Sequence, residues 1–180
     1  MATIEIRDHR RTDVRTNIRL NPFWMTSGVI DKDDDDKGAL LFSFPDLADY
    51  FLHEIVVDVK TAFAGGTVAL TIGSGTIATD DVTTGGDITI VDADEYMTSG
   101  EITPGSVGYY PGGAVAIDAD GVVTGSDWAK AKFEGDISLL IIEGADANVP
   151  VIYASLTSDA TITAGEAYVH ILVSKLDRKH

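Results

Sequence analysis

Two runs of acidic residues are the parts of this sequence whose types and spacing could hold a metal ion. The first run, DKDDDDK at 31–37, offers several carboxylates, which are ligands that calcium prefers. An EF-hand loop counted from Asp31 would need Gly at the sixth place and Glu at the twelfth, where this chain has Asp36 and Phe42. Neighbouring like charges repel and stay hydrated, so we expect a solvated loop without a metal.

The second acidic run is DADG at 118–121, to which Asp127 could add a third calcium ligand. An Asp-Gly turn between two short strands accounts for the same residues without a metal, because tight turns select Asp and Gly. We therefore expect a turn here and no metal site.

A third pattern, GSGTIA at 73–78, formally fits the GxGxxA motif of dinucleotide sites and follows a predicted strand. In such a site the pyrophosphate faces the N-terminus of a helix that begins inside the motif. The next residues, TDDVTTGG, are poor helix formers. We expect 73–75 to be a turn that ends the strand, and we expect no cofactor.

The side chains that usually carry catalysis do not form a recognisable motif. Cysteine is absent, and the four histidines, His9, His53, His170 and His180, do not have metal-ligand spacing. The sequence also lacks the GxSxG and HExxH motifs of common hydrolases. We expect His170 to be a structural residue within a strand, and we expect no enzyme. A jelly-roll hydrolase with a carboxylate pair that the sequence does not single out is the alternative.

Alternation of apolar and polar side chains predicts β-strands from residue 39 onwards. Apolar residues recur at every second position at 55–59, 68–72 and 167–173. Period two with one apolar face is the pattern of a half-buried strand. Because Ala64-Gly65-Gly66 separates the first two segments, we expect them to form a hairpin in which Gly supplies the positive φ angles of the loop.

The remaining segments predict smaller elements. We expect a helical turn at 47–52, a short helix or loop at 92–100, a long loop at 101–114, a central strand at 137–142 and a closing hairpin around Ala164-Gly165. Many strands separated by Gly and Asp turns indicate an all-β fold, most simply a jelly-roll-like two-sheet sandwich over 39–180. Residues 1–38 are predicted to form an extended N-terminal arm and an acidic loop.

The charge of the chain limits its partners. The net charge of −16 opposes binding to a phosphate backbone, and no apolar run approaches the ~18 residues of a membrane span, so we expect neither nucleic acid nor membrane as a partner.

The charge is distributed unevenly along the chain. The first 22 residues carry a net charge of 5 − 3 = +2, and the rest of the chain carries 8 − 26 = −18. The cations of that first segment are Arg7, Arg10, Arg11, Arg15 and Arg19. We expect this basic arm to dock on a negatively charged partner, and a solvated, frayed terminus is the competing interpretation.

Two aromatic groups lie where a partner could reach them. Phe23 and Trp24 follow the basic arm, and Tyr109 and Tyr110 lie in the glycine-rich part of the long loop. Aromatic residues are enriched at protein–protein interfaces, so we expect these four to bind a partner protein. The alternative is stacking on a sugar by Trp24, Tyr109, Tyr110 and Trp128.

Two segments resemble parts of the small virion proteins of tailed bacteriophages. In VKTAFAGGTVALTIG at 59–73, a strand ends in Thr-Ala-Phe, a glycine turn follows, and a second strand ends in Ile-Gly. The segment TITAGEAYVHI at 161–171 is similar to the final hairpin of such proteins, which often has Thr-x-Gly before the last strand. The resemblance extends over residues 50–75 and 135–176.

This resemblance implies a capsid decoration (cement) protein or the base of a head fibre, with a β-sandwich fold, a homotrimeric state and a place on the outer surface of the virion capsid. It implies the major capsid protein as partner, and it implies no catalytic residues. The arginines of the arm would then contact capsid subunits or a neighbouring copy. The alternative is a receptor- or carbohydrate-binding module of a phage tail or fibre protein.

Overall fold

The computed structural model describes residues 22–34, 37–45, 48–78, 87–136, 140–143 and 148–176. The strands in these ranges are β1 (Pro22–Thr26), β2 (Ile30–Asp31), β3 (Lys37–Ser43), β4 (Asp49–Ala64), β5 (Val68–Ala78), β6 (Thr89–Met97), β7 (Gly108–Pro111), β8 (Ala116–Ile117), β9 (Val123–Thr124), β10 (Ile141–Ile142), β11 (Asn148–Ser158) and β12 (Ala164–Leu176). The helix α1 spans Asp127–Glu134, and a 3-10 turn spans Lys32–Asp34. No helix within the described ranges is long and apolar enough to cross a membrane.

The strands form two main antiparallel sheets in a sandwich-like arrangement, which confirms the predicted all-β fold. The first sheet has the order β1-β12-β4-β10, with β2 also paired to β12 and β7 also paired to β4. The second sheet has the order β11-β5-β6. β3 runs alongside β11, where the amide of Phe44 donates to the carbonyl of Pro150 at 3.0 Å. Strands β8 and β9 form a separate two-stranded hairpin.

The core lies between the two sheets and explains why the strands alternate. Val57 of β4, Val169 of β12, Ile72 of β5 and Ile152 of β11 are fully buried in one apolar cluster. The apolar positions at 55–59 and 167–173 therefore face inward, as the sequence predicts. Each fully buried aliphatic side chain of this kind contributes about 1.5–3 kcal/mol relative to its exposed state.

The predicted hairpin at 55–73 is wrong, although both of its strands are present. β4 belongs to the first sheet and β5 to the second, so Gly65 and Gly66, with φ angles of 113° and 134°, connect opposite sheets by an arch. A hairpin would place the apolar faces of both strands on one side of one sheet. The arch instead turns these faces toward each other, and both are then buried in the same core.

The predicted closing hairpin is also an arch. β12 begins at Ala164, so Ala164-Gly165 are its first residues and not a turn, and it lies in the first sheet, whereas β11 lies in the second. Residues 159–163 therefore cross between the sheets, for the same physical reason as the first arch: both strands have an apolar face, and the core lies between them.

The two arches contact each other at one end of the sandwich. The amide of Thr67 donates to Oδ1 of Asp159 at 2.7 Å, and the amide of Thr163 donates to the carbonyl of Ala64 at 2.7 Å. Gly165 lies at this junction with a φ angle of 148°, and a Cβ atom there would collide with the ring of Phe63. The junction thus has no room for a side chain at residue 165.

The predicted turn at 73–75 is wrong because these residues continue β5, which reaches Ala78. The glycines serve a close approach of the neighbouring strand instead. A Cβ atom at Gly73 would collide with the carbonyl of Asp92, and one at Gly75 would lie 2.8 Å from a methyl group of Ile88. The pairing of β5 with β6 is irregular at this point, so the glycines accommodate a bulge.

Three smaller predictions are wrong because long-range strand pairing overrides local sequence. β4 begins at Asp49 within the predicted helical turn at 47–52, since residues 49–52 pair with β12. β6 extends to Met97 through the predicted helix or loop at 92–100. The described part of the predicted central strand at 137–142 contains only the two-residue strand β10, paired to the start of β4.

Part of the predicted arm is built into the first sheet. β1 and β2 lie within residues 1–38, and both pair with β12. The five arginines of the arm lie outside the described residues, and the division of the chain at residue 38 stays a prediction.

We predict that Gly165→Ala destabilises the fold by about 2–4 kcal/mol, because the methyl group strains the backbone and displaces a buried ring. Urea unfolding followed by circular dichroism measures the change in the free energy of unfolding. Gly28→Ala is the matched control, since no atom lies within 4 Å of the Cβ position there. A loss for Gly165→Ala no larger than that of the control would contradict the packed junction of the arches.

Candidate binding surface

The outer face of the first sheet carries an open apolar groove with a volume of about 290 Å³. Trp24 of β1, His170 of β12, Val56 of β4 and Tyr109 of β7 line it. The strand order β1-β12-β4-β7 brings these outward-facing side chains together, and His170 lies directly opposite Val56. The alternation that buries the inward residues of these strands therefore also builds the groove on their other face.

Trp24 and Tyr109 present large apolar surfaces to solvent at the groove. Trp24 is 54% exposed and Tyr109 is 68% exposed. Single exposed aromatic residues are ordinary, but two at one groove form a patch of the kind that marks interaction sites. The sequence nominated the two residues separately as partner-binding residues, and the structure brings them together.

An ion pair next to Tyr109 supports this side of the groove. The Asp58 carboxylate is almost completely buried and lies 2.5 Å from Nζ of Lys60. The same ammonium lies 5.2 Å from the centroid of the Tyr109 ring, within range of a cation–π contact. The hydrogen bond to Asp58 raises the pKa of Lys60 above its ordinary value. Lys60 therefore contacts both the buried carboxylate and the Tyr109 ring at this side of the groove.

Thr26, His170 and Asp58 form a series along the groove. Oγ1 of Thr26 is 2.9 Å from Nδ1 of His170, but Nε2 of His170 is 3.6 Å from Oδ2 of Asp58. A hydroxyl, an imidazole and a carboxylate in this order resemble a nucleophilic relay, which needs both contacts at hydrogen-bond distance. Here the carboxylate pairs with Lys60, and the other ring nitrogen of His170 contacts the Thr26 hydroxyl.

The other predicted aromatic residues do not line the groove. Phe23 points to the opposite face of β1 from Trp24 and is 43% exposed. Tyr110 packs partly buried against the core, and its hydroxyl donates to the carbonyl of Ser106 at 2.9 Å. Trp128 is fully buried, so the suggestion that it stacks on a sugar is wrong.

In the acidic run at 118–121, the Asp118 carboxylate is bonded to the backbone of its own turn. Oδ1 of Asp118 accepts hydrogen bonds from the amides of Asp120 and Val122, both at 2.9 Å, in a tight turn. Asp127, the third ligand of the hypothetical calcium site, pairs with Lys130. These carboxylates are therefore used within the fold.

In the first acidic run, Asp31 ends β2, Lys32–Asp34 form the 3-10 turn and Lys37 begins β3. The amide of Asp33 donates to Oδ1 of Asp31 at 2.8 Å, and Lys32 pairs with Asp33. Among the residues that the structure describes, no group of three or more histidine, aspartate or glutamate side chains is placed to hold a metal ion.

Sequence reasoning missed the strand residues of this surface, namely Val56, Asp58, Lys60 and His170. Each lies in an alternating segment, so the sequence does contain a signal for its outward or inward direction. Which outward residues become neighbours depends on the pairing of strands that are far apart in the chain. Local periodicity carries no information about that pairing.

Comparisons with known proteins do not assign the chain to a family. No protein-family model and no curated protein matches it. Among solved structures, a chain of "Structure of infectious bursal disease virus Gx strain" is similar, with a TM-score of 0.41 and 12% sequence identity. The similarity covers 87% of this chain and 32% of that chain, so this chain spans about a third of the other's length. At this TM-score the similarity carries no argument about function.

We predict that Lys60→Met destabilises the protein more than Asp58→Asn does. The first change leaves a buried carboxylate without its cation, whereas the second leaves a half-exposed lysine that water hydrates. Chemical unfolding of both variants at pH 7 compares their free energies of unfolding. An equal or inverted order would show that Lys60 does not hold the carboxylate.

Proposed function

We propose that this chain is a non-enzymatic virion structural protein that decorates and cements the outer surface of a tailed-bacteriophage capsid. The observation that carries the proposal is the exposed groove at Trp24 and Tyr109 on the outer face of a sheet whose inner face packs in the core. A preformed surface binds a partner without the entropic cost of ordering a loop. The resemblance of residues 59–73 and 161–171 to small phage virion proteins supplies the class of partner.

The groove has the character of a protein-binding site. Its walls are mainly apolar, and exposed aromatic side chains are the residues that contribute most to binding at interfaces. The ion pair of Asp58 and Lys60 places an ammonium group within cation–π range of one of these aromatic residues, Tyr109. These features support a role in binding and holding a partner.

The arginines of the arm are the second point of attachment in this proposal. Arg7, Arg10, Arg11, Arg15 and Arg19 all precede β1 in the chain. An acidic body repels other acidic surfaces, and a basic segment offsets that repulsion. The proposal assigns the major capsid protein and neighbouring copies as partners, because many modest contacts on one lattice add up to firm retention.

A homotrimer is the assembly that the proposal adopts, and the resemblance to phage virion proteins is its basis. Three copies related by rotation would present three arms and three grooves at one lattice position. Each individual contact can then be weak while the assembly as a whole stays bound.

Removal of residues 1–20 is expected to abolish retention on capsids and to leave a folded body, because the arm is one of the two points of attachment.

Tyr109→Ala is expected to weaken retention on capsids at least ~10-fold, which corresponds to about 1.4 kcal/mol at one aromatic anchor. Co-sedimentation with undecorated capsids of the phage measures retention, and circular dichroism measures folding.

Phe133→Ala is the matched control for Tyr109→Ala. Phe133 is also exposed, at 58%, but lies on α1, which packs against β6 of the second sheet. This control is expected to bind capsids as the parent protein does. Retention of the truncated protein at the parent level would contradict the proposal.

A receptor- or carbohydrate-binding module of a phage tail or fibre is the second candidate. The exposed rings of Trp24 and Tyr109 favour it, because sugar rings stack on accessible aromatic faces. A glycan array probed with the full-length protein tests this candidate. Specific glycan binding that Trp24→Ala abolishes and Phe133→Ala preserves would support it, and an array without bound glycans would remove it.

A further inference from the structure

We propose that the groove binds the N-terminal segment of a second copy of this chain, with residues 13–20 as the occupant. This inference deepens the proposed function, because it assigns the groove to the neighbouring copy and the start of the arm to the capsid. A contact between copies forms without a capsid, so it is tested separately on the purified protein.

β1 begins at the end that lies farther from the groove. Its first residue, Pro22, is opposite Ser174, and the strand runs toward Thr26, opposite His170 at the groove. The chain therefore enters β1 four residues before it reaches the row of His170. A neighbouring copy is therefore better placed than the same chain to supply the occupant.

Residues 13–20, DVRTNIRL, have the two kinds of side chain that the groove and its surroundings can bind. Apolar side chains or Thr occupy the even positions, and polar side chains, including Arg15 and Arg19, occupy the odd positions. An extended segment with this alternation presents one mainly apolar side and one basic side. Such a segment can fill an apolar groove and place cations at its rim.

The outer face of the first sheet is complementary to such a segment. Glu54 lies in the same cross-strand row as Trp24, and Glu166 accepts a hydrogen bond from the hydroxyl of Tyr168 at 2.9 Å. Apolar side chains of the occupant would lie between Trp24 and Tyr109, and its arginines would reach the two glutamates. A guanidinium group also stacks well on an exposed aromatic ring.

The length of the arm and the charge of the body agree with an exchange between copies. Twenty-one residues precede β1, and an extended chain of that length spans up to ~70 Å, which is enough to reach a neighbour. The acidic bodies of two copies repel each other, and an exchanged basic segment offsets this repulsion. Arg7, Arg10 and Arg11 lie ahead of the docked segment and stay available for the capsid.

Because the chain has no cysteine, single introduced cysteines report the contact without background. Full-length Ile18→Cys protein is mixed with full-length Thr26→Cys protein that carries a larger tag, and the mixture is oxidised with diamide. Thr26 is exposed and lies opposite His170 at the groove. We expect a shift from the monomer bands to a heterodimer band on a non-reducing gel, and we expect Tyr109→Ala in the second copy to remove the shift.

The matched control replaces Thr26→Cys with Phe133→Cys, an exposed position on α1. Heterodimer formation that depends on Thr26→Cys and on an intact Tyr109 supports the proposal. Equal yields of heterodimer for the two positions overturn the proposal. The absence of a heterodimer also overturns it, and this is the result expected if each arm covers the groove of its own chain. Crosslinking without capsid retention would refute the decoration function alone, whereas retention without crosslinking would refute this inference alone.

Discussion

The antiparallel pairing of β4 with β12 is the interaction on which the rest of the structure depends. The ladder runs from Asp49 opposite Leu176 to Ala64 opposite Ala164. Its inward residues belong to the fully buried core, and its outward residues Val56 and His170 form the middle of the groove. One ladder thus determines both the stability of the sandwich and the shape of its binding surface. A slip by one residue would exchange the two faces, so the apolar core that fixes the register also fixes the groove.

The two arches explain how this ladder is held against the second sheet. Each arch carries the chain from one sheet to the other, and the two arches are joined by hydrogen bonds from Thr67 to Asp159 and from Thr163 to Ala64. Because Phe63 fills the space above Gly165, this end of the sandwich is closed by direct packing. The groove lies on the opposite face of the first sheet from the core, so its side chains belong to strands whose inner residues are packed. A preformed face of this kind, with Trp24 and Tyr109 exposed on it, lowers the entropic cost of binding a partner.

Local periodicity was sufficient to predict which side chains of 55–59 and 167–173 face the core, because burial repeats every second residue in a strand. It could not distinguish the arch at Gly65-Gly66 from a hairpin, since both connect alternating strands through glycines with positive φ angles. The difference lies in which distant strand each segment pairs with. The same limit applies to the candidate site. The sequence predicts Trp24 and Tyr109 as binding residues, whereas His170 becomes their neighbour only through the strand order β1-β12-β4-β7. The arginines of the arm lie outside the described residues, so their role stays a prediction.

In the proposed assembly, a partner covers the outer face of the first sheet. Hydroxyl-radical footprinting with mass spectrometry measures this directly, by comparing oxidation rates in free protein that lacks residues 1–20 with those in the full-length protein on decorated capsids. Trp128, which is fully buried, serves as the internal reference. We expect the oxidation rates of Trp24 and Tyr109 to fall strongly on the capsid. Equal rates for both residues in the two states would contradict it.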